Sequence, residues 1–164
     1  MSALHDMMAR WAQPGMIAWI GLRPARAAEI EVVTQVDVTQ AGLTGDRGRA
    51  GKRAVTLVQA EHLPAIASFL GRETVPPEML RRNLLVQGIN LASLKGREVQ
   101  VGSAVLRFTT ICAPCSQMER AFGPGGYAAM RGHCGWCAEV VTPGRIAVGD
   151  AVTPRASVSS SSMT

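Results

Sequence analysis

Apolar residues along this chain fall into short runs rather than long helical stripes. Eight runs predict strands, over residues 16–22, 30–38, 54–59, 83–87, 99–101, 104–111, 138–142 and 145–148. Most are rich in β-branched residues and closed by glycine, proline or aspartate, which suits a pleated, half-buried segment and then stops it. Between them, residues 60–70 predict a helix, with a short one before Arg81 and another over 116–122. The first fifteen residues carry weak helical spacing in Leu4, Met7, Met8 and Trp11, ended by Gln13-Pro14-Gly15. Many short strands and few helices favour a mainly β fold over a layered βαβ one. The expectation is a closed or partly open β-barrel with a few peripheral helices. It comprises an N-terminal appendage over 1–15, one domain over 16–153 and a flexible serine-rich tail over 154–164.

Composition narrows the class. At 164 residues, 47% hydrophobic and 18% charged, the chain suits one globular domain with a single core. No apolar run reaches the roughly eighteen residues of a membrane span. The opening Met1-Ser2-Ala3-Leu4-His5-Asp6 lacks a basic region followed by an apolar stretch, so no secretory signal is expected. A cytoplasmic location follows, where thiols stay reduced. The net charge of +5 raises nucleic acid as a partner. Against this, the basic residues form short scattered pairs and there are only seven aromatics. Lys52 and Lys95 are the only lysines, so arginine supplies fifteen of the seventeen basic residues. Its planar fork matches phosphate and carboxylate. A GC-rich gene accounts for part of that excess; the rest points to a small anionic ligand.

The chemistry concentrates in four cysteines. Cys112-Ala-Pro-Cys115 and Cys134-Gly-Trp-Cys137 stand eighteen residues apart, a spacing that fits a four-thiolate zinc site. Two other readings compete with it. Cys115 opens a predicted helix, where free amides favour a thiolate. Such a thiolate can ligate a soft metal or accept sulfane sulfur, with Cys134 or Cys137 as its resolving thiol. Alternatively the second pair are tolerated small residues, and Cys112 either supports Cys115 or packs. His133 lies beside Cys134, while His5 and His62 fall on the appendage and a helix.

Other motifs read two ways. The segment Gly42-Leu43-Thr44-Gly45-Asp46-Arg47-Gly48-Arg49, continued by Lys52 and Arg53, is either an anion-holding loop or an ordinary hairpin loop. In it, Asp46 most simply bonds its own backbone. Arg81-Arg82-Asn83 is either a solvated face or, at a strand entrance, a holder of a phosphate or pterin edge. Glu61 caps the first long helix or fixes an arginine, and Gly149-Asp150 ends a strand.

Taken in order, these pieces resemble the MOSC domain, the C-terminal domain of molybdenum cofactor sulfurases. Gly42-Leu43-Thr44-Gly45-Asp46-Arg47 with Arg53-Ala54-Val55-Thr56-Leu57 and Glu61 is similar to that family's opening. Arg81-Arg82-Asn83-Leu84-Leu85-Val86-Gln87-Gly88-Ile89-Asn90-Leu91 resembles its central motif, and Cys112-Ala-Pro-Cys115-Ser116-Gln117-Met118-Glu119 its cysteine segment. Gly144-Arg145-Ile146-Ala147-Val148-Gly149-Asp150 resembles its closing strand. Five weak motifs in sequence order make a strong signal. The resemblance implies a strand-rich barrel that binds molybdenum cofactor (molybdopterin). Cys115 would be the molybdenum ligand or sulfur carrier, assisted by Cys112. Arg81, Arg82 and Asn83, with Arg47 and Arg53, would lie near the pterin and its phosphate. The implied activity is reduction of N-hydroxylated compounds with an electron-donating protein partner, or sulfur transfer from a sulfur-donor protein during cofactor maturation. Cys134 and Cys137 depart from the family pattern. They keep open a non-catalytic zinc-binding domain built on Cys112, Cys115, Cys134 and Cys137.

Overall fold

The computed structural model describes residues 3–156. In chain order the elements are helix α1 (Ala3–Met8) and strands β1 (Gly15–Leu22), β2 (Glu31–Val33), β3 (Gln35–Thr39), β4 (Gly42–Leu43) and β5 (Val55–Gln59). Helix α2 (His62–Leu70), a 3-10 turn over Pro77–Leu80, β6 (Leu84–Gln87) and a second 3-10 turn over Leu91–Leu94 follow. The chain closes with β7 (Glu98–Val101), β8 (Ala104–Ile111), α3 (Ser116–Phe122), α4 (Gly126–Met130), β9 (Trp136–Thr142), β10 (Gly144–Ala147) and β11 (Ala151–Pro154).

Seven strands pair in the order β11-β7-β8-β9-β5-β6-β1, and β1 pairs back onto β11, so the barrel is closed. Closure removes the free edges that an open sheet presents to other chains. Six of these seven pairings are antiparallel; β5–β6 is parallel, with α2 in the crossover between them. Strand β2 hangs on β1 outside the ring, and β10-β3-β4 form a separate small sheet.

Side-chain alternation sorts the barrel wall into two cores. Leu57, Leu84, Val86, Leu106, Phe108, Ala138 and Val140 point into the barrel. Their neighbours Val58, Leu85 and Cys137 point outward, into a second core with Ile66, Met118, Phe122 and Met130 from α2, α3 and α4. Both faces of β5 are therefore covered, which explains why all five of its residues are buried. This outer core, between wall and helices, is where the cysteines lie.

The expected strand over 30–38 is two strands in two sheets. Val33 still pairs with Ile20 of β1, but Gln35 pairs with Ala147 of β10. The chain bends at Thr34, whose carbonyl accepts from Val148 N at 2.9 Å, so a single β-rich run serves both sheets. Gly149-Asp150 is a turn as read: Asp150 bonds Ala147 through both backbone and carboxylate. The strand β11 beyond it lies at the edge of what reads as tail, and the serine-rich stretch from residue 157 lies outside the described residues. The helical spacing at the N-terminus forms α1, but none of its residues is buried. Among the described residues, no helix is long and apolar enough to cross a membrane.

Candidate functional site

The two Cys-x-x-Cys motifs do not act as the pairs they form in sequence. Cys112, Cys134 and Cys137 are buried in the outer core, whereas Cys115 is exposed at the N-cap of α3. Gly135 carries the chain over β5 with φ +89°, and a Cβ there would collide with the Leu57 carbonyl. This close crossing seats Cys134 against α4 and Cys137 against the barrel wall. Cys112 N donates to Gly135 O at 2.8 Å, and the Cys112 and Cys137 sulfurs stand 3.1 Å apart. Cys134 donates instead to Met130 O at 3.4 Å, and the nearest partner of the Cys115 thiol is Gln117 Oε1 at 4.0 Å.

The four-thiolate zinc site is therefore not built. Among the described residues, no group of three or more His, Cys, Asp or Glu side chains is arranged to hold a metal ion. Two of the four thiols are spent on each other and a third on a carbonyl, so the spacing match has no geometric counterpart. Nor is Cys137 set against Cys115: its partner is Cys112.

Arginine charge organises these thiols. Arg82 Nε donates to Cys134 O at 2.8 Å, and its positive charge acts on Cys112, Cys134 and Cys137 together. The hydrogen bond from Cys112 lowers Cys137 to about 7 against the opposing effect of burial, aided by Arg82, Arg53 and Arg23. Cys112 moves the other way, pushed up by that same bond and by burial. Arg53 and Arg23 also act on Cys137, so the pair lies in a field that favours a thiolate. Burial raises Cys134, which also senses Cys115 nearby.

A second group of arginines surrounds Arg81. This residue has φ +55°, a left-handed conformation rare outside glycine, and ends the 3-10 turn before β6. Its Nη1 donates to Ala28 O at 2.7 Å, while Nη2 is buried with no hydrogen-bond partner among the described residues. Burial, then the charges of Arg47 and Arg23, lowers its pKa. This orphaned guanidinium nitrogen, beside two further arginines, lacks the acceptor that a buried donor ordinarily has.

Asn83 has a different task from direct contact with a ligand. It is fully buried, and its Nδ2 donates to Gly21 O and Asp46 Oδ1, both at 3.0 Å. Its Oδ1 accepts from Thr56 N and Oγ1. All four hydrogen-bonding positions of the amide are thereby used, leaving none for a pterin. The amide locks β1, β5 and the loop after β4 together. Asp46 accepts from Gly48 N, as its position in a turn implies, and also forms a two-point pair with Arg23. The Arg23 and Gly48 bonds outweigh burial and hold this carboxylate below its ordinary value. Arg23 was not foreseen as a site residue; its only sequence signal is a charge just past the end of an apolar strand.

A cleft of about 440 Å³ opens beside the cysteines, lined by Gln59, His62, Asn90, Cys112, Arg131 and Trp136 among others. His133 pairs with His62, Nδ1 to Nδ1 at 3.1 Å, rather than with a thiol. Glu61 is used structurally too, accepting from Gln59 Nε2 and Gly88 N.

A closed barrel with helices packed on one side of its wall is the frame that carries this cysteine–arginine cluster. The MOSC domain model matches residues 35–153, well over half the chain, and the chain belongs to this family. Solved structures share the fold at low identity. The YuaD protein from Bacillus subtilis superposes with a TM-score of 0.76 at 18% identity, covering 91% of this chain and 100% of that one. YiiM from Escherichia coli gives 0.70 at 21% identity, over 88% of this chain and 71% of its own. YiiM from Geobacillus stearothermophilus gives 0.72 at 18%, over 87% and 75%. No curated protein matches the chain in sequence.

Proposed function

We propose that this protein binds molybdenum cofactor, with the exposed Cys115 as the metal's thiolate ligand and Arg81 as the main anchor for an anionic group. The observation that carries the reading is the buried, unpartnered Nη2 of Arg81 beside Arg47 and Arg23. A phosphate or acidic pterin edge supplies the missing acceptor and relieves the like-charge crowding. Arg82 links the two halves of the site, being adjacent to Arg81 and bonded to Cys134, whose thiol senses Cys115. Arg53, exposed near Cys137, adds positive charge on the same side.

When bound, the cofactor supplies a two-electron centre suited to removing oxygen from N-hydroxylated compounds, with electrons from a partner protein. The chain's own residues bind and orient. Arginine forks fix the anionic end, Asn83 and Asp46 hold the Arg23 side rigid, and Cys115 offers a soft ligand at the surface. The exposure of Cys115 also favours a second reading, in which it takes sulfane sulfur from a donor protein and carries it to the cofactor.

Elemental analysis of protein purified from a cofactor-competent host tests the proposal. Near-stoichiometric molybdenum with pterin is expected, lost in Cys115→Ser and strongly reduced in Arg81→Gln, with both variants folded by circular dichroism. Molybdenum-free wild-type protein, or undiminished molybdenum in Cys115→Ser, overturns it. Persulfide on Cys115 without bound molybdenum selects the carrier.

A further inference from the structure

The chemistry of Cys115 leaves unexplained the two buried sulfurs in contact behind it. Cys112 and Cys137 come from opposite sides of the β8–β9 junction, where the pairing register slips between Phe108 and Ile111. Both backbones are held: Cys112 N is bonded to Gly135 O, and Cys137 pairs with Thr56 of β5. The sulfurs at 3.1 Å lie inside ordinary van der Waals contact. A covalent bond requires about 1 Å of further approach, within reach of side-chain rotation. Cys112, but not Cys137, lines the cleft that also holds Gln59, Asn90 and Arg131. Cys112 therefore borders a mostly apolar cleft with a few polar groups, and Cys137 lies behind it.

We infer that Cys112 and Cys137 form a redox-active dithiol that hydroperoxides convert to an intrachain disulfide, a centre separate from Cys115. The Cys112 sulfur attacks a peroxide oxygen while Cys137 takes its proton across their hydrogen bond. The O–O bond breaks and water, or an alcohol from an organic peroxide, leaves after taking up a solvent proton. Cys112 is then a sulfenic acid. Cys137 attacks its sulfur, the S–O bond breaks, and the hydroxyl leaves as water with the Cys137 proton. Two thiols lose two electrons in all, the peroxide gains them, and an external dithiol restores the pair.

Surrounding groups favour a thiolate in this pair. Arg82 acts on both thiols, Arg53 and Arg23 act on Cys137, and one proton can be shared across the contact between the two sulfurs. Cys134 also lines the cleft, but its proton is held by Met130 O and burial keeps it a thiol. The narrow exposure of Cys112, 9%, suits a peroxide better than a bulky disulfide.

Trypsin places Cys112 and Cys115 in the peptide of residues 108–120, and Cys134 and Cys137 in residues 132–145. Metal-free full-length protein is treated with hydrogen peroxide, alkylated, digested and sequenced by mass spectrometry. The expected product joins these peptides through Cys112 and Cys137, leaves Cys115 and Cys134 alkylated, and is reversed by dithiothreitol. Cys115→Ser forms the same link, so this outcome is independent of cofactor binding. Cys137→Ser, which lacks both the proton acceptor and the second sulfur, forms no such link. Four thiols still alkylatable after treatment that oxidises free cysteine, or a link containing Cys115 or Cys134, overturns the inference.

Discussion

At the scale of single residues, the strongest constraint around the site is an uncharged one. Asn83, fully buried, holds three segments through four hydrogen bonds. Asn83→Ala strands the Thr56 amide and the Gly21 carbonyl, and a loss of roughly 3 kcal/mol is expected, read by urea denaturation. The type of residue was legible in the sequence, but its task was not. An Arg-Arg-Asn run at a strand entrance points to anion binding, and only the fold shows the third member turned inward. The cysteines teach the same lesson: Cys-x-x-Cys spacing pairs neighbours in sequence, whereas strand register pairs Cys112 with Cys137. Histidines give the pH-dependent case. Burial, then the neighbouring His133, holds His62 below its ordinary 6.5, so the native state favours the neutral ring. That contribution to stability is complete above pH 6.5 and is lost as pH falls through the lower native value. The thermal midpoint should drop over that interval, and His62→Gln should flatten the drop.

At the scale of elements, short apolar runs closed by turn residues carried most of the fold. Strands such as β5 and β6 are apolar on both faces because the barrel interior covers one and the outer core the other, so they read as runs in one sequence. The run over 30–38 misled because both of its halves are strands, and nothing in its composition marks the bend at Thr34. The start of β9 was hidden because Cys134-Gly-Trp-Cys137 reads as a chemical motif, although Trp136 and Cys137 already lie in the ladder. Gly135 is the element-level hinge of the site. Gly135→Ala sets a Cβ against the Leu57 carbonyl in a left-handed conformation. A cost of roughly 2–4 kcal/mol is expected in chemical denaturation, with a faster-alkylating Cys137 as β9 lifts from β5.

At the scale of the whole molecule, the barrel depends unequally on its two ends. Helix α1 buries none of its residues, so a chain starting at Gln13 should keep its stability within about 0.5 kcal/mol. A chain ending at Asp150 lacks β11 and exposes the edges of β1 and β7. It should lose its cooperative melting transition and self-associate, as size-exclusion chromatography would show. The closing strand also sets a timetable. Gly15 pairs with Val152, so the ring joins residues from nearly opposite ends of the described chain. During synthesis β1 emerges early and must wait, its β11-facing edge unpaired, until β11, the last strand among the described residues, arrives. Such long-range closure makes folding slow and places its final step after translation of the domain.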